Sequence, residues 1–228
     1  KFEQLMVRYF QLDPMLSQQY DAVWRWIDWP DRQGKPDTGI DLAARERDTG
    51  NYTAIQCKFY EPTHRLAKED IDSFFTASGK EPFTNRVIIS TTDRWGKNAE
   101  DALEGQTKPV QRIGMAEIAD SPIDWDIAWP AGDLHIELAP AQKHQPRPHQ
   151  EQAIDAVFGG FAAGNDRGKL IMACGTGKTF TALKIAERTA TENGGAARIL
   201  FLVPSISLLS QTLRAWTAQT ELDLRAFA

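Results

Sequence analysis

The octapeptide Met172-Ala-Cys-Gly-Thr-Gly-Lys178-Thr179 limits the folds open to this 228-residue chain more than any other stretch. Gly175 and Gly177 permit a tight backbone path that side chains would obstruct. The loop lies between an apolar run at 169–173 and a helical pattern at 180–191. That order predicts strand, loop and helix, the unit from which parallel α/β layers are built. Its surroundings continue the alternation, with a helix expected over 150–159, a second strand over 199–203 and a helix from about Ser207.

The first 127 residues follow a different rhythm. Phe2, Leu5, Met6 and Tyr9 recur at helical spacing and predict an opening helix over 2–12. Two short strands, 39–45 and 52–59, flank Asp48-Thr-Gly-Asn51 and read as a hairpin. A helix over 68–78 offers Ile71, Phe74 and Phe75 to one sheet face. Arg86-Val-Ile-Ile-Ser-Thr91 reads as a buried strand, and 98–103 as a short helix. The expected fold class is α/β: a mixed sheet flanked by helices over 1–127, then a partial parallel α/β domain over 147–228. Pro130, Pro140, Pro146 and Pro148 mark the joint, a proline-rich linker over 128–146, because proline fixes φ and cannot donate a hydrogen bond. There is no internal repeat and no low-complexity tract.

The net charge is −5, divided unevenly. Residues 146–228 hold nine Lys/Arg against seven Asp/Glu, whereas 1–145 hold seventeen against twenty-four. An acidic domain can still bind nucleic acid when local cations and a divalent ion meet the phosphates, so the charge leaves such a partner open. Cys57 and Cys174 form no zinc spacing; reduced thiols and a cytoplasmic location are the simplest expectation. No apolar run approaches 18 residues and no basic-then-apolar leader is visible, so no membrane span or export signal is expected. The first residue is not Met, which points to sequence upstream.

Alternation along a strand turns Gln56 and Lys58 to one face and Ile55 and Cys57 to the other. If Asp41 lies on the adjacent strand, its carboxylate reaches the same site. The Asp41 carboxylate, the Gln56 amide oxygen and the Cys57 carbonyl would suit a hard divalent cation such as Mg²⁺. Lys58 would orient a water molecule and offset charge developing on a phosphate. The same three side chains are also common on solvated strand faces. His64 has no evident nucleophile partner and reads as a surface residue. Trp24, Trp26 and Trp29 alternate as strand residues do; core packing is favoured over base stacking.

These residues carry a resemblance. Asp37-Thr-Gly-Ile-Asp41-Leu, Ile55-Gln-Cys-Lys58-Phe-Tyr60 and the start Phe2-Glu3-Gln-Leu5 resemble the Mrr-like branch of the PD-(D/E)xK restriction-endonuclease superfamily. The resemblance implies Asp41 as the metal-binding acid, Gln56 at the Glu/Gln position and Lys58 as the catalytic lysine. Neutral Gln56 replaces the acid usual in the superfamily, so a further carboxylate is sought. Glu3 is the better placed if the first helix folds against the site, and Asp37 is the other candidate, though it could equally shape the turn.

In the octapeptide, successive amides can face phosphates, Lys178 can reach the β and γ phosphates, and Thr179 can ligate Mg²⁺. Met172 stands where the strict phosphate-loop pattern has glycine. Arg147-Pro-His-Gln150-Glu-Gln-Ala153 and Phe201-Leu-Val-Pro204-Ser205, with Leu208 and Gln211, resemble superfamily 2 helicases and translocases. That resemblance implies that Gln150 reads adenine, that Gly175, Thr176, Gly177, Lys178 and Thr179 hold ATP and Mg²⁺, and that Ser205 lies near nucleic acid. Ser205 also suits a helix cap, and both roles can hold together.

The order of the two modules resembles type ISP single-polypeptide restriction-modification enzymes. It implies a nuclease acting on double-stranded DNA after a motor has moved along it. Later motor, methyltransferase and target-recognition regions of a parent chain are implied as partners, as is a second nuclease domain for double-strand cleavage. No Asp-Glu motor string or arginine finger follows the Val-Pro-Ser element, so weak ATP binding without translocation is expected of these 228 residues. A nuclease-helicase of DNA repair and a catalytically idle Mrr-like docking module fit the same residues.

Overall fold

The computed structural model describes residues 1–34, 36, 39–126, 138–173 and 175–226. The chain forms two compact units, Lys1–Ala141 and Gln142–Ala228.

The first unit opens with α1 (Phe2–Leu12), whose Met6, Tyr9 and Phe10 are buried. Asp13 ends it and caps α2 (Pro14–Gln19), its side chain accepting from the amides of Met15 and Leu16. Five strands follow: β1 (Tyr20–Arg25), β2 (Leu42–Glu46), β3 (Tyr52–Lys58), β4 (Phe83–Ser90) and β5 (Val110–Ile113), paired in that order. The first three are antiparallel, whereas β3, β4 and β5 run parallel. In register, Lys58 pairs with Ser90 and Ile89 with Ile113, so the C-terminal ends of the parallel strands share one edge.

Each sheet face has its own apolar layer. Ile55, Leu42 and Ile89 pack with Met6 and Phe10 of α1. Ala54, Ala43 and Ile88 pack with Ile71 and Phe74 of α3 (Glu69–Ser78). The short helices α4 (Lys97–Asp101) and α5 (Met115–Ala119) complete the layers, and β6 (Ile123–Asp124) pairs with β7 (Ala139–Pro140). Gly39 is required where α3 approaches: its φ is +92°, and a Cβ there would lie 2.7 Å from the Ser73 hydroxyl. Trp26 and Trp29 do not alternate along a strand. Trp26 opens the first of two 3₁₀ turns after β1 and Trp29 lies between them, both buried against each other and Phe83, and core packing accounts for them.

The second unit is built from α6 (Pro148–Ala162), α7 (Lys178–Glu192) and α8 (Ile206–Gln219). Ile154, Leu183 and Trp216 are buried among them, and the Trp216 indole donates to the Thr179 carbonyl at 3.0 Å. The strands expected over 169–173 and 199–203 are not formed among the described residues. A strand exists through its ladder, and neither segment finds a pairing partner here. Ile171, Leu200 and Leu202 consequently remain more than 80 % exposed.

Candidate functional site

The end of β3 gathers most of the residues singled out in the first unit. Asp41 precedes β2; its amide donates to the Ile55 carbonyl and its carbonyl accepts from the Trp26 amide. The backbone is thus held on both sides. Its Oδ2 accepts from the Cys57 amide at 2.6 Å.

Gln56 is almost fully buried, with 2 % exposure, and its Nε2 donates to the Gly39 carbonyl at 3.2 Å. A carbonyl can only accept, so the amide nitrogen must face Gly39 and Oε1 must point away. That oxygen is buried and has no hydrogen-bond partner among the described residues. Leaving a polar acceptor in this state costs roughly 1–3 kcal/mol, so the position calls for a donor or a cation.

Cys57 connects the remaining groups. Burial pushes its thiol well above its ordinary 9.0; the charges of Asp41 and Glu3 push it further, and Lys58 opposes them. Asp41, Glu3 and Lys58 therefore all act on one sulfur. Glu3 reaches this region because α1 packs against the end of β3, where Phe2 meets Phe59 with ring centres 5.2 Å apart. Asp37 lies outside the described residues, as does Cys174. No group of three His, Cys, Asp or Glu side chains gathers among the described residues. A cation here would need a mixed oxygen set, the Asp41 carboxylate, Gln56 Oε1 and the Cys57 carbonyl, which fits the hard-donor preference of Mg²⁺.

Sequence reasoning missed the rim beyond Lys58. Tyr60 donates its hydroxyl to Asp70 Oδ1 at 2.9 Å, and the Ala67 amide donates to Oδ2 at 2.8 Å. His64 is a surface residue, as expected, but it has partners. Its ring stacks on Tyr60 with centres 4.1 Å apart, and Nε2 lies 3.8 Å from Asp70. Partial burial works against the Asp70 charge, but the Ala67 and Tyr60 hydrogen bonds, with Lys58 and His64, hold its carboxyl below the usual range. Spacings of four and six residues, across an irregular loop and into the first turn of α3, give no periodic signal for such a cluster.

In the second unit, the loop before α7 has φ of +77° at Gly175 and +81° at Gly177. Gln150 sits against Gly177 so closely that a Cβ there would collide with its amide nitrogen. Both ends of the Gln150 amide are engaged: Oε1 accepts from the Arg147 amide at 2.9 Å, and Nε2 donates to the Thr176 carbonyl at 3.0 Å. The start of α6 is thereby fastened to the loop. Thr176 Oγ1 and Lys178 Nζ both donate to the Ala173 carbonyl, at 2.7 and 3.1 Å. Ser205 caps α8, its Oγ accepting from the Leu208 amide at 3.2 Å.

A family profile described as a restriction endonuclease, Mrr_cat_2, matches residues 11–134, more than half of the chain. A second, described as the res subunit of type III restriction enzymes, matches residues 143–224. Among solved structures the chain is similar to the ATP-dependent type ISP restriction-modification enzyme LlaBIII bound to DNA, at 36 % identity and a TM-score of 0.80. The alignment covers 96 % of this chain and 14 % of that one, so the chain spans about a seventh of its relative's length. No curated protein matches. The first unit is thus a restriction-endonuclease-like mixed sheet and the second a partial RecA-like α/β fold. The chain belongs to the restriction endonuclease family, with an Mrr-like PD-(D/E)xK nuclease domain fused to a ResIII-type superfamily 2 helicase domain, homologous to a type ISP restriction enzyme.

Proposed function

We propose that residues 1–127 form a metal-dependent DNA endonuclease, joined by a linker over 128–146 to the start of an ATP-dependent DNA translocase at 147–228, within a restriction-modification enzyme. The observation that carries this reading is the buried Gln56 Oε1, without a partner among the described residues, on the strand whose Cys57 amide holds Asp41 and which ends in Lys58. Asp41, Gln56 Oε1 and the Cys57 carbonyl would hold Mg²⁺, which when bound supplies Lewis-acid stabilisation of the phosphate. Asp41 is fixed by the Cys57 amide, so its carboxylate is oriented before any ligand arrives. Lys58 orients the attacking water and donates hydrogen bonds to charge developing on the phosphate oxygens. Glu3 adds negative charge from α1, compensating for neutral Gln56.

In the second unit, Gly175, Thr176, Gly177, Lys178 and Thr179 are the candidate cradle for ATP and Mg²⁺, Gln150 the adenine reader and Ser205 a DNA contact. The partners in this reading are double-stranded DNA, the later motor and modification regions of the parent chain, and a second nuclease domain for double-strand cleavage.

A divalent-dependent nicking assay on supercoiled DNA tests the nuclease assignment. Asp41→Ala and Lys58→Ala should each abolish nicking with the fold retained by circular dichroism. A second reading, an idle DNA-docking module, draws on the lack of a three-ligand acidic or histidine cluster among the described residues. Unaltered cutting by both variants would overturn the site assignment, whereas metal-independent binding with no cutting by the parent protein would favour the docking module.

A further inference from the structure

Two loops leave the same edge of the sheet as Lys58, one after β3 and one after β4, and they are fastened to each other. Thr91 exchanges hydrogen bonds with Tyr60, its Oγ1 accepting from the Tyr60 amide at 2.8 Å and donating to the Tyr60 carbonyl at 2.6 Å. Thr92 Oγ1 lies 2.7 Å from the His64 carbonyl, to which it donates. Farther out, the Leu66 amide donates to the Arg94 carbonyl and the Gly96 amide to the Leu66 carbonyl, both at 2.8 Å, with Leu66 fully buried beneath. The result is a short, well-anchored platform rather than two independent loops.

Its outer surface carries three arginines beside the exposed Glu61 and Asp93. Arg65 donates to the Trp95 carbonyl at 3.4 Å, and the Arg112 guanidinium, just before the end of β5, sits 5.1 Å from the centre of the Trp95 ring. Arg94 precedes the same tryptophan in the chain, and all three arginines are exposed. Among the described residues none of them forms an ion pair with a carboxylate, whereas Arg25 and Arg45 in the same unit pair with Asp28 and Asp21. Two exposed acids lie nearby, Asp93 facing Gly114 and Glu117 accepting from the Gly114 amide. Three guanidinium groups without an ion pair among the described residues, one on the Trp95 ring, one on its carbonyl and one on the residue before it, nevertheless present a local anion-binding surface in the half of the chain with a seven-charge acidic excess.

We infer that Arg65, Arg94 and Arg112, on the two loops and the strand end that meet at Trp95, contact the phosphate backbone of double-stranded DNA and seat the duplex on the sheet edge that ends in Lys58. Trp95 is half-buried and carries Arg112 on its ring, so the role assigned is phosphate contact by the arginines, not base stacking by the tryptophan. Their contribution is therefore sequence-independent and salt-sensitive. This inference rests on the nuclease reading for its choice of partner.

The test is equilibrium binding of a fluorescent 30-base-pair duplex to the whole 228-residue chain in EDTA, across a salt series. Arg65→Gln, Arg94→Gln and Arg112→Gln should each weaken binding for unrelated duplex sequences alike. The triple variant should lower the slope of log affinity against log salt by about 2.7, or about 0.9 for each phosphate that an arginine no longer neutralises. Lys80→Gln, an exposed charge in the same unit, should leave the slope unchanged, which separates a local surface from net charge. Near-UV circular dichroism checks that Trp95 keeps its packing, and Arg112→Lys should recover most of the slope if the packing is sensitive to Gln. A triple variant with parental affinity and slope overturns the inference even if Asp41 and Lys58 prove essential for nicking. Arginine-dependent binding with no cleavage in any divalent metal would instead uphold it and remove the nuclease reading.

Discussion

The Cys57 amide donates a 2.6 Å hydrogen bond to Oδ2 of Asp41, tying the proposed metal-binding acid to the strand that carries Gln56 and Lys58. One carboxylate therefore has both a structural and a chemical task. The two can be separated by substitution. Asp41→Asn keeps an acceptor for the Cys57 amide, whereas Asp41→Ala removes it and should cost about 1.5–3 kcal/mol in urea unfolding, the usual range for a hydrogen bond to a charged group. Both variants should lose divalent-dependent nicking of supercoiled DNA. Equal destabilisation by the two would show that the Cys57 hydrogen bond contributes nothing.

Gln56→Glu should make stability depend on metal. The new carboxylate lacks the donor that faces the Gly39 carbonyl, so stability without metal should fall by about 1–3 kcal/mol. Added Mg²⁺ should restore much of that stability by binding only the folded form. Thermal melting with and without Mg²⁺ measures the difference, which should exceed that of the parent protein.

Gly177→Ala should damage the loop before α7 for two reasons. Its φ of +81° is unfavourable for an L side chain by about 1–2 kcal/mol, and the added methyl meets the Gln150 amide. Affinity for a fluorescent ATP analogue should drop at least tenfold. Gln150→Ala, which frees the Thr176 carbonyl without straining Gly177, should weaken binding less.

Acid stability should carry a signature of Asp70. Because its folded carboxyl titrates below its ordinary 3.8, it stabilises the fold at pH values above that point, and the contribution fades as pH falls through the lowered value. Asp70→Asn should therefore be less stable at neutral pH and decline less on acidification than the parent. Unfolding free energies measured between about pH 5 and pH 2 would give the shallower acid limb; parallel limbs would exclude Asp70 as a source.

Much of the first unit is legible in the sequence because its signals are local. The spacing of Met6 and Tyr9 marks α1, the turn at Asp48–Asn51 marks the β2–β3 hairpin, and strand alternation puts Gln56 and Lys58 on one face. Asp41 stands out through its surrounding string, but its bond to the Cys57 amide depends on register across the hairpin. The partners of His64 escape a sequence reading because Tyr60 meets it through a folded loop with no period and Asp70 from the start of α3. The segments 169–173 and 199–203 fail for the opposite reason: their composition favours strands, but composition supplies no ladder partner.

Lys178 in this structure already commits a hydrogen bond to the Ala173 carbonyl, as Thr176 does. An ammonium carries three N–H donors, so this bond holds Nζ at the loop and still leaves two for an arriving anion. The lysine is positioned before any occupant comes, and less of its side-chain freedom has to be given up on binding.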